Sequence, residues 1–217
     1  MAGTEPRARL DSQLHVGNRR IRGAKRRAAG SIASEVFSDD GMFRVLFPES
    51  STRPSGVDQL HRNLLATIPK STTTSIATVN GQLVGCSLWV PPGNWPYPDS
   101  FYRREAFQAK KLTRSFGLDA EATGALMTAV ASQHPREPHW YLQLVMVSPQ
   151  YQGRGLGDAL VAPGLEAADR EGLPCFLETQ AIGNLAYYAR LGFYQVAETT
   201  DPTGVGTLWS LFRPPRR

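Results

Sequence analysis

Cysteine is scarce in this chain: Cys86 and Cys175 are the only two in 217 residues. Both lie in β-favouring stretches with no metal-ligand neighbour at a useful spacing. Buried reduced thiols are therefore expected rather than a disulfide, and no metal site is expected. No apolar run approaches the roughly 18–20 residues that span a bilayer. No apolar stretch stands behind the N-terminal charges, as it does in a secretory signal. A membrane partner and export are thus not expected, and a cytoplasmic location is the simplest reading. The chain also lacks internal repeats and any break in composition that would mark a second domain.

Aromatic residues are absent before Phe37, in the region where positive charge is densest. Residues 1–27 carry eight Arg or Lys against Glu5 and Asp11, a local excess of six, whereas the whole chain nets +5. The remainder is close to neutral. A basic tail can attract nucleic acid or anionic lipid, but with no aromatic residue between these charges the excess reads as a solvated leader, and nucleic acid is not an expected partner. Residues 1–11 are expected to be disordered. Residues 12–217 are expected to form one domain, large enough to bury a core without staples.

Along the chain, Leu14-His15-Val16 predicts a first strand. Ile21, Ala24, Ala28, Ile32 and Val36 follow helical spacing over 21–36, at a cost of about 1 kcal/mol each for Gly23 and Gly30. Residues 42–56, with Pro48 and Pro54, read as a loop carrying Phe43, Leu46 and Phe47. Val57 to Ile68 reads as a second helix. Thr72–Val79 and Gln82–Val90 are two β-rich runs joined by Asn80-Gly81, the strongest short hairpin signal. A rigid aromatic loop, Asn94-Trp95-Pro96-Tyr97-Pro98, follows. Two helices are expected over 101–116 and 120–134, and the last strand, 207–212, is expected to pair with 194–198. That order suits a mixed α/β sheet with helices on both faces.

The most informative stretch runs from Trp140 to Leu160. Trp140–Val147 is apolar and β-favouring throughout, as in a strand buried on both faces. Ser148-Pro149 stops it. Gly153, Gly155 and Gly157 then precede a helical pattern through Leu156, Ala159, Leu160 and Leu165. Strand, glycine-rich turn and helix together hold phosphate well, because backbone N–H groups can approach the anion and the helix dipole faces it. The third glycine of a dinucleotide fingerprint is missing, since Leu160 stands there, and the Gly-Lys-Ser/Thr of a P-loop is absent. What does match is Gln152-Gly153-Arg154-Gly155-Leu156-Gly157, a Q-x-x-G-x-G pattern. Further on come a second buried strand at 174–179 and then Asn184-Leu185-Ala186-Tyr187-Tyr188-Ala189-Arg190-Leu191-Gly192-Phe193. That helix carries Leu185, Tyr188 and Leu191 on one face and a stop at Gly192.

Loop and helix, in this order and spacing, resemble the GNAT acetyltransferase superfamily. Between Ala131 and Phe193 the likeness narrows to puromycin N-acetyltransferase and its relatives. The resemblance implies a mixed, mostly antiparallel sheet splayed between two central strands. It also implies an acyl-CoA-dependent enzyme that moves the acetyl group of acetyl-CoA to a primary amine of a small molecule by direct attack, and it is compatible with a homodimer. Acylation of a protein N-terminus or lysine, a longer acyl-CoA, and a CoA-binding regulator without turnover are the other readings it allows. In the family the 42–56 region borders the acceptor, so Phe43, Leu46 and Phe47 are either substrate wall or packing beneath a loop.

The resemblance also implies residue roles. The backbone of Val145, Met146 and Val147 would pair with pantetheine and polarise the thioester. The amides of Gly153, Arg154, Gly155, Leu156, Gly157 and Asp158 would carry the pyrophosphate. Gln152 would brace the loop or touch phosphate, and Arg154 is either a phosphate contact or a solvated loop cation. Asp158 also reads as an acid stabilising the helix dipole. Asn184 is either an N-cap or a pantetheine contact. Tyr188 is the candidate acid for the leaving sulfur, since a phenol with an ordinary pKa near 10 is protonated at neutral pH; otherwise it is a core aromatic. Glu178, at the end of an apolar strand where an unpaired carboxylate is costly, is the candidate base. Glu137 and His139 are the runners-up and read as surface residues at a strand entrance. Gln143 and Met146 are bulkier than the residues the puromycin-modifying relatives carry, which would reshape the acceptor pocket.

Overall fold

The computed structural model describes residues 14–200 and 206–216; the leader expected over residues 1–11 lies outside them. The elements run β1 Leu14–Asn18, α1 Gly23–Phe37, α2 Gly41–Leu46, α3 Arg53–Thr67, β2 Thr73–Val79, β3 Gln82–Val90, α4 Asp99–Phe116, α5 Ala120–Gln133, β4 Trp140–Val147, α6 Leu156–Glu171, β5 Cys175–Thr179, α7 Asn184–Arg190, β6 Tyr194–Thr200 and β7 Thr207–Arg213. A 3₁₀ turn at Pro149–Tyr151 links β4 to the glycine-rich stretch.

One region departs from expectation. Residues 42–56 are not a loop: α2 forms there, and α3 begins at Arg53 rather than Val57. Pro54 misleads because proline is well placed in the first turn of a helix, where its missing N–H has no intrahelical partner to lose. Phe43, Leu46 and Phe47 are 7%, 4% and 0% exposed. They are packing, not substrate wall, and burying Phe47 alone contributes about 2–3 kcal/mol.

The seven strands form one sheet in the order β1-β2-β3-β4-β5-β7-β6, antiparallel except between β4 and β5. At the β2–β3 turn Asn80 and Gly81 both have positive φ, 51° and 76°, as a two-residue turn matching strand twist requires. Helices α1 and α3 pack with Cys86, Leu88, Leu144 and Met146 on one face. Helix α6 covers the other face, with Leu160 against Val147 and Val161 against Leu142. At the far end Arg213, 2% exposed, donates from Nη1 and Nη2 to the two Asp169 oxygens at 2.8 and 2.7 Å and from Nε to the Leu191 carbonyl at 3.0 Å. This ties β7 to α6 and to the end of α7. Cys86 and Cys175 are free and buried, and burial pushes both thiols up to about 12.

Candidate active site

The sheet divides at its centre. β4 and β5 pair only at Trp140–Cys175, Tyr141–Phe176 and Leu142–Leu177. Across β3, Leu88 faces Leu144 while Trp89 faces Leu142, so Gln143 is the extra residue of a β-bulge. A bulge bends its strand and increases the local twist, and from Gln143 onward β4 turns away from β5. Beyond that point, among the described residues, one edge of β4 has no strand beside it.

The direction of the backbone groups along that edge follows from the register. Ser148 donates its N–H to the Val84 carbonyl at 2.8 Å, which makes 148 and 84 a hydrogen-bonded pair. In an antiparallel ladder the pairs alternate, so Val147 and Val145 turn their backbone groups away from β3 and into the opening. Met146 instead bonds to β3 and sends its side chain into the α1–α3 core, where it is 2% exposed. Of the three residues expected to offer backbone to the opening, only Val145 and Val147 do.

Past the edge lies the glycine-rich turn. Gln152 Nε2 donates to the Val147 carbonyl at 2.9 Å, bracing the turn against the strand. Arg154 folds back, its Nη2 donating to the Gln150 carbonyl at 3.1 Å and its guanidinium over the Tyr151 ring. Gly153 and Gly155 sit at φ 70° and 76°, the left-handed region that favours glycine. The N–H groups of residues 153–158 make no hydrogen bond to any other described residue, and α6 has no side-chain cap at its start. Six donors and the positive end of a helix of 16 residues therefore converge where an anion is best held. That arrangement fits a pyrophosphate without further side chains. Asp158, exposed in the first turn of α6, complements the dipole.

Gly157 owes its identity to a neighbour: a β-carbon there would come within 3.1 Å of the Tyr187 hydroxyl. Burial, then the Asp158 carboxylate, raises the Tyr187 pKa above the ordinary phenol value. Tyr188, one residue on, packs between Tyr187 and Phe193 and is 5% exposed. Burial raises its pKa as well. Asn184 is the first residue of α7 rather than its cap, which is Gly183, and its Nδ2 donates to Thr179 Oγ1 at 3.2 Å. α7 is thereby pinned to the end of β5.

Glu178 stands one residue past the last β4–β5 pair, at the point of division. Its neighbour Leu177 packs with Tyr188 on the α6–α7 face, and Phe176 packs with Tyr97, Phe101 and Tyr141 on the opposite face. By alternation Glu178 faces that aromatic side. Its carboxylate is 7% exposed and lies 3.5 Å from His134 Nδ1. Oε1 and both nitrogens of His134 are buried without a hydrogen bond. Trp95 stacks on the His134 ring at 4.3 Å, and Tyr141 and Phe176 meet it edge-on. Burial, then the Glu178 charge, holds the Tyr141 pKa well above its ordinary value. Gln143 accepts a 2.6 Å hydrogen bond from the Tyr97 hydroxyl.

His139 is not a surface residue: it is 6% exposed, its Nδ1 lies 2.8 Å from the Glu137 carbonyl, and burial lowers its pKa. Glu137 itself is exposed. Sequence reading missed His134 and Tyr141 as neighbours of Glu178, and Trp95 and Tyr97 packed around them. The available signal was weak: an aromatic loop at 94–98 and two histidines near a strand entrance. Among the described residues no cluster of three or more His, Cys, Asp or Glu could hold a metal, and no helix is long and apolar enough to cross a membrane.

Comparison with known proteins agrees with this geometry. An uncharacterised N-acetyltransferase of Schizosaccharomyces pombe is 31% identical over 123 residues, covering 52% of this chain and 48% of its own length. The chain thus spans about half of that relative. A solved structure from Corynebacterium glutamicum, named as a histone acetyltransferase HPA2 and related acetyltransferase, superposes with a TM-score of 0.69 at 22% identity over 94% of this chain and 98% of its own. An agmatine N-acetyltransferase mutant superposes with a TM-score of 0.57 at 16% identity over 93% and 99%. At such identities these two likenesses concern the fold. The model of the acetyltransferase (GNAT) family matches residues 43–193, and with the divided sheet and glycine turn inside that span, the chain belongs to the GNAT acetyltransferase family.

Proposed function

We propose that this protein transfers the acetyl group of acetyl-CoA to a primary amine of a small molecule, by direct attack in a ternary complex. The observation that carries the reading is the continuous path from six unpartnered amides, along the unpaired edge of β4, to a buried carboxylate at the division of the sheet. The amides of 153–158 hold the pyrophosphate, and Val145 and Val147 pair with the pantetheine arm and polarise the thioester oxygen. Glu178 takes a proton from the acceptor ammonium. Tyr188, on the opposite face, gives its hydroxyl proton to the departing sulfur. Donor and acceptor of protons thus lie on the two sides of the sheet, which keeps the entering amine and the leaving thiol apart.

A small acceptor is favoured over a protein because the base is nearly sealed. Glu178 is 7% exposed beside His134 and Tyr141, Trp95 packs on both of those rings, and Gln143 is fixed by Tyr97. A slender amine reaches such a carboxylate end-on. Fold similarity does not decide the acceptor; the closed surroundings of Glu178 support a small one. The test is thiol release from acetyl-CoA across a panel of small amines, N-terminal peptides and lysine peptides, with longer acyl-CoA donors in parallel. The highest kcat/KM is expected for small primary amines with the acetyl donor. Turnover confined to peptides, or CoA binding without turnover on any amine, would overturn this reading.

A further inference from the structure

The contact between His134 and Glu178 is unusual for a protein interior. Buried polar groups are normally hydrogen-bonded, yet the two His134 nitrogens, Glu178 Oε1 and His139 Nε2 are all buried and unbonded. They lie together between the end of α5, the entrance to β4 and the end of β5. The His134 ring cannot turn freely, because Trp95 lies flat against it at 4.3 Å and Tyr141, Phe176 and His139 close the other sides at 4.5, 4.7 and 4.9 Å. The preceding residue is also fixed: Gln133 donates to Thr199 and accepts from Ser210, bridging α5 to β6 and β7. Ser210 is the strand partner of Glu178 itself. Carboxylate and imidazole are therefore held in register by separate elements, 3.5 Å apart.

We infer that His134 and Glu178 form a coupled proton-accepting pair, with His134 the positioning residue through which Glu178 serves as base for the acceptor ammonium. The inference rests on the acetyl-transfer reading and adds a residue to it. Glu178 Oε1 has no hydrogen bond of its own in this enclosure. An imidazole beside it offers a second place for the proton and supports the anion. The ammonium N–H bond breaks and its proton passes to Glu178, shared with His134, leaving the electron pair on nitrogen. That pair forms the C–N bond as the C–S bond breaks, and Tyr188 protonates the sulfur. The second N–H proton then restores the Tyr188 hydroxyl. The pair later yields its proton to water, so one proton is released for each acetyl group moved.

Other titratable groups face the pair, and each differs in reach. Tyr141 from β4 and His139 before it are in the cluster. Tyr97 and Tyr102 act on Tyr141 from the 95–102 segment, Glu105 of α4 acts on Tyr97, and Glu137 acts on His139. Tyrosines titrate far above neutrality, and His139 lies 4.9 Å from His134. Glu178 is the carboxylate in contact with the imidazole.

Two measurements test the pair. In the first, imidazole resonances of the 217-residue chain, which has four histidines, are followed with pH, His134→Phe supplying the assignment. Coupling predicts that Glu178→Gln lowers the His134 titration midpoint by at least one pH unit; an unmoved midpoint would overturn it. In the second, kcat/KM for the best amine is followed with pH. In His134→Phe the acidic limb should move to higher pH by one unit or more, cutting activity about tenfold near neutrality and restoring it at alkaline pH. His134→Asn, which keeps a donor towards Glu178, should lie between the two. A His134→Phe profile superposable on the parent, or lowered equally at every pH, would reduce His134 to packing. If the parent turns over no amine, the acetyl-transfer reading falls and takes the proton-transfer step with it, while the resonance titration still decides the coupling.

Discussion

Two ion contacts in this protein invite comparison, one with a partly exposed acid and one buried on both sides. Arg213 is bonded to Asp169 through two oxygens at 2.8 and 2.7 Å, with its Nε on the Leu191 carbonyl. Glu178 meets His134 at 3.5 Å, with Oε1 and both ring nitrogens unbonded. The first is a satisfied bidentate pair, the strong kind of charged hydrogen bond, and it ties three elements together far from the division of the sheet. The second is placed at that division, walled by aromatic rings, with bonding capacity to spare. A buried pair that satisfies every donor serves the fold. One left under-satisfied is uncommon and marks a place to test for function.

The contrast can be broken first at the satisfied pair. Arg213→Met removes the guanidinium from Asp169, which is 31% exposed and keeps the Arg216 N–H, and a loss of about 1–3 kcal/mol in denaturant unfolding is expected, with acetyl-CoA binding kept. The pair also sets a direction with pH. Hydrogen bonding from Arg213 holds the Asp169 carboxyl below its ordinary value. Its contribution is present above the unfolded value, about 3.9, and is lost as pH falls through the lower folded value. Arg213→Met should therefore flatten the acid side of the stability curve. An unchanged curve would show that the pair contributes nothing net.

On the chemical side, Tyr188→Phe should lower kcat by about 10²-fold with acetyl-CoA affinity little changed. The low end of the acid–base range is expected because burial raises the phenol pKa and a thiolate with a pKa near 8.5 leaves readily. Tyr187→Phe removes a buried hydroxyl without a partner and should keep parental kcat. Tyr188→Phe within about twofold of the parent, with chemistry rate-limiting, would return Tyr188 to packing.

A smaller effect is expected at the turn. Gly155 has φ 76° with open space around it, so Gly155→Val acts through backbone strain rather than a clash. Acetyl-CoA affinity should fall about tenfold, or about 1.4 kcal/mol, in a folded protein, and calorimetry showing full affinity would remove the turn from the binding site. The smallest effect is expected at the leader. Deleting residues 1–11, which lack apolar periodicity, should leave melting and turnover unchanged; a loss above about 1 kcal/mol would mean that the segment packs.

Much of the fold was legible because its signals are local. The hairpin announced itself through Asn80-Gly81, the central strand through an apolar run interrupted only by Gln143, and the anion turn through three glycines opening a helix. The 42–56 region was misread for an equally local reason, Pro54 marking a helix start as readily as a loop. The candidate site divides along the same line. The turn lies within one continuous stretch and was readable there. The surroundings of Glu178 were not, since His134 comes from the end of α5, Tyr141 from β4, and Trp95 packs on both from the 91–98 loop. Which of Val145, Met146 and Val147 faces the opening likewise depends on a register fixed by the hydrogen bond between Ser148 and Val84.

Glu178→Gln tests the contrast most directly when melting and single-turnover acetylation are measured on the same preparation. The change keeps the side chain's shape and removes the carboxylate's capacity to take up a proton. The expected result is a fall of about 10²–10⁴ in the acetylation rate, with acetyl-CoA affinity intact and a melting temperature equal to or above that of the parent. A Glu178→Gln protein that acetylates at the parental rate, or one that loses stability as Arg213→Met does, would contradict it.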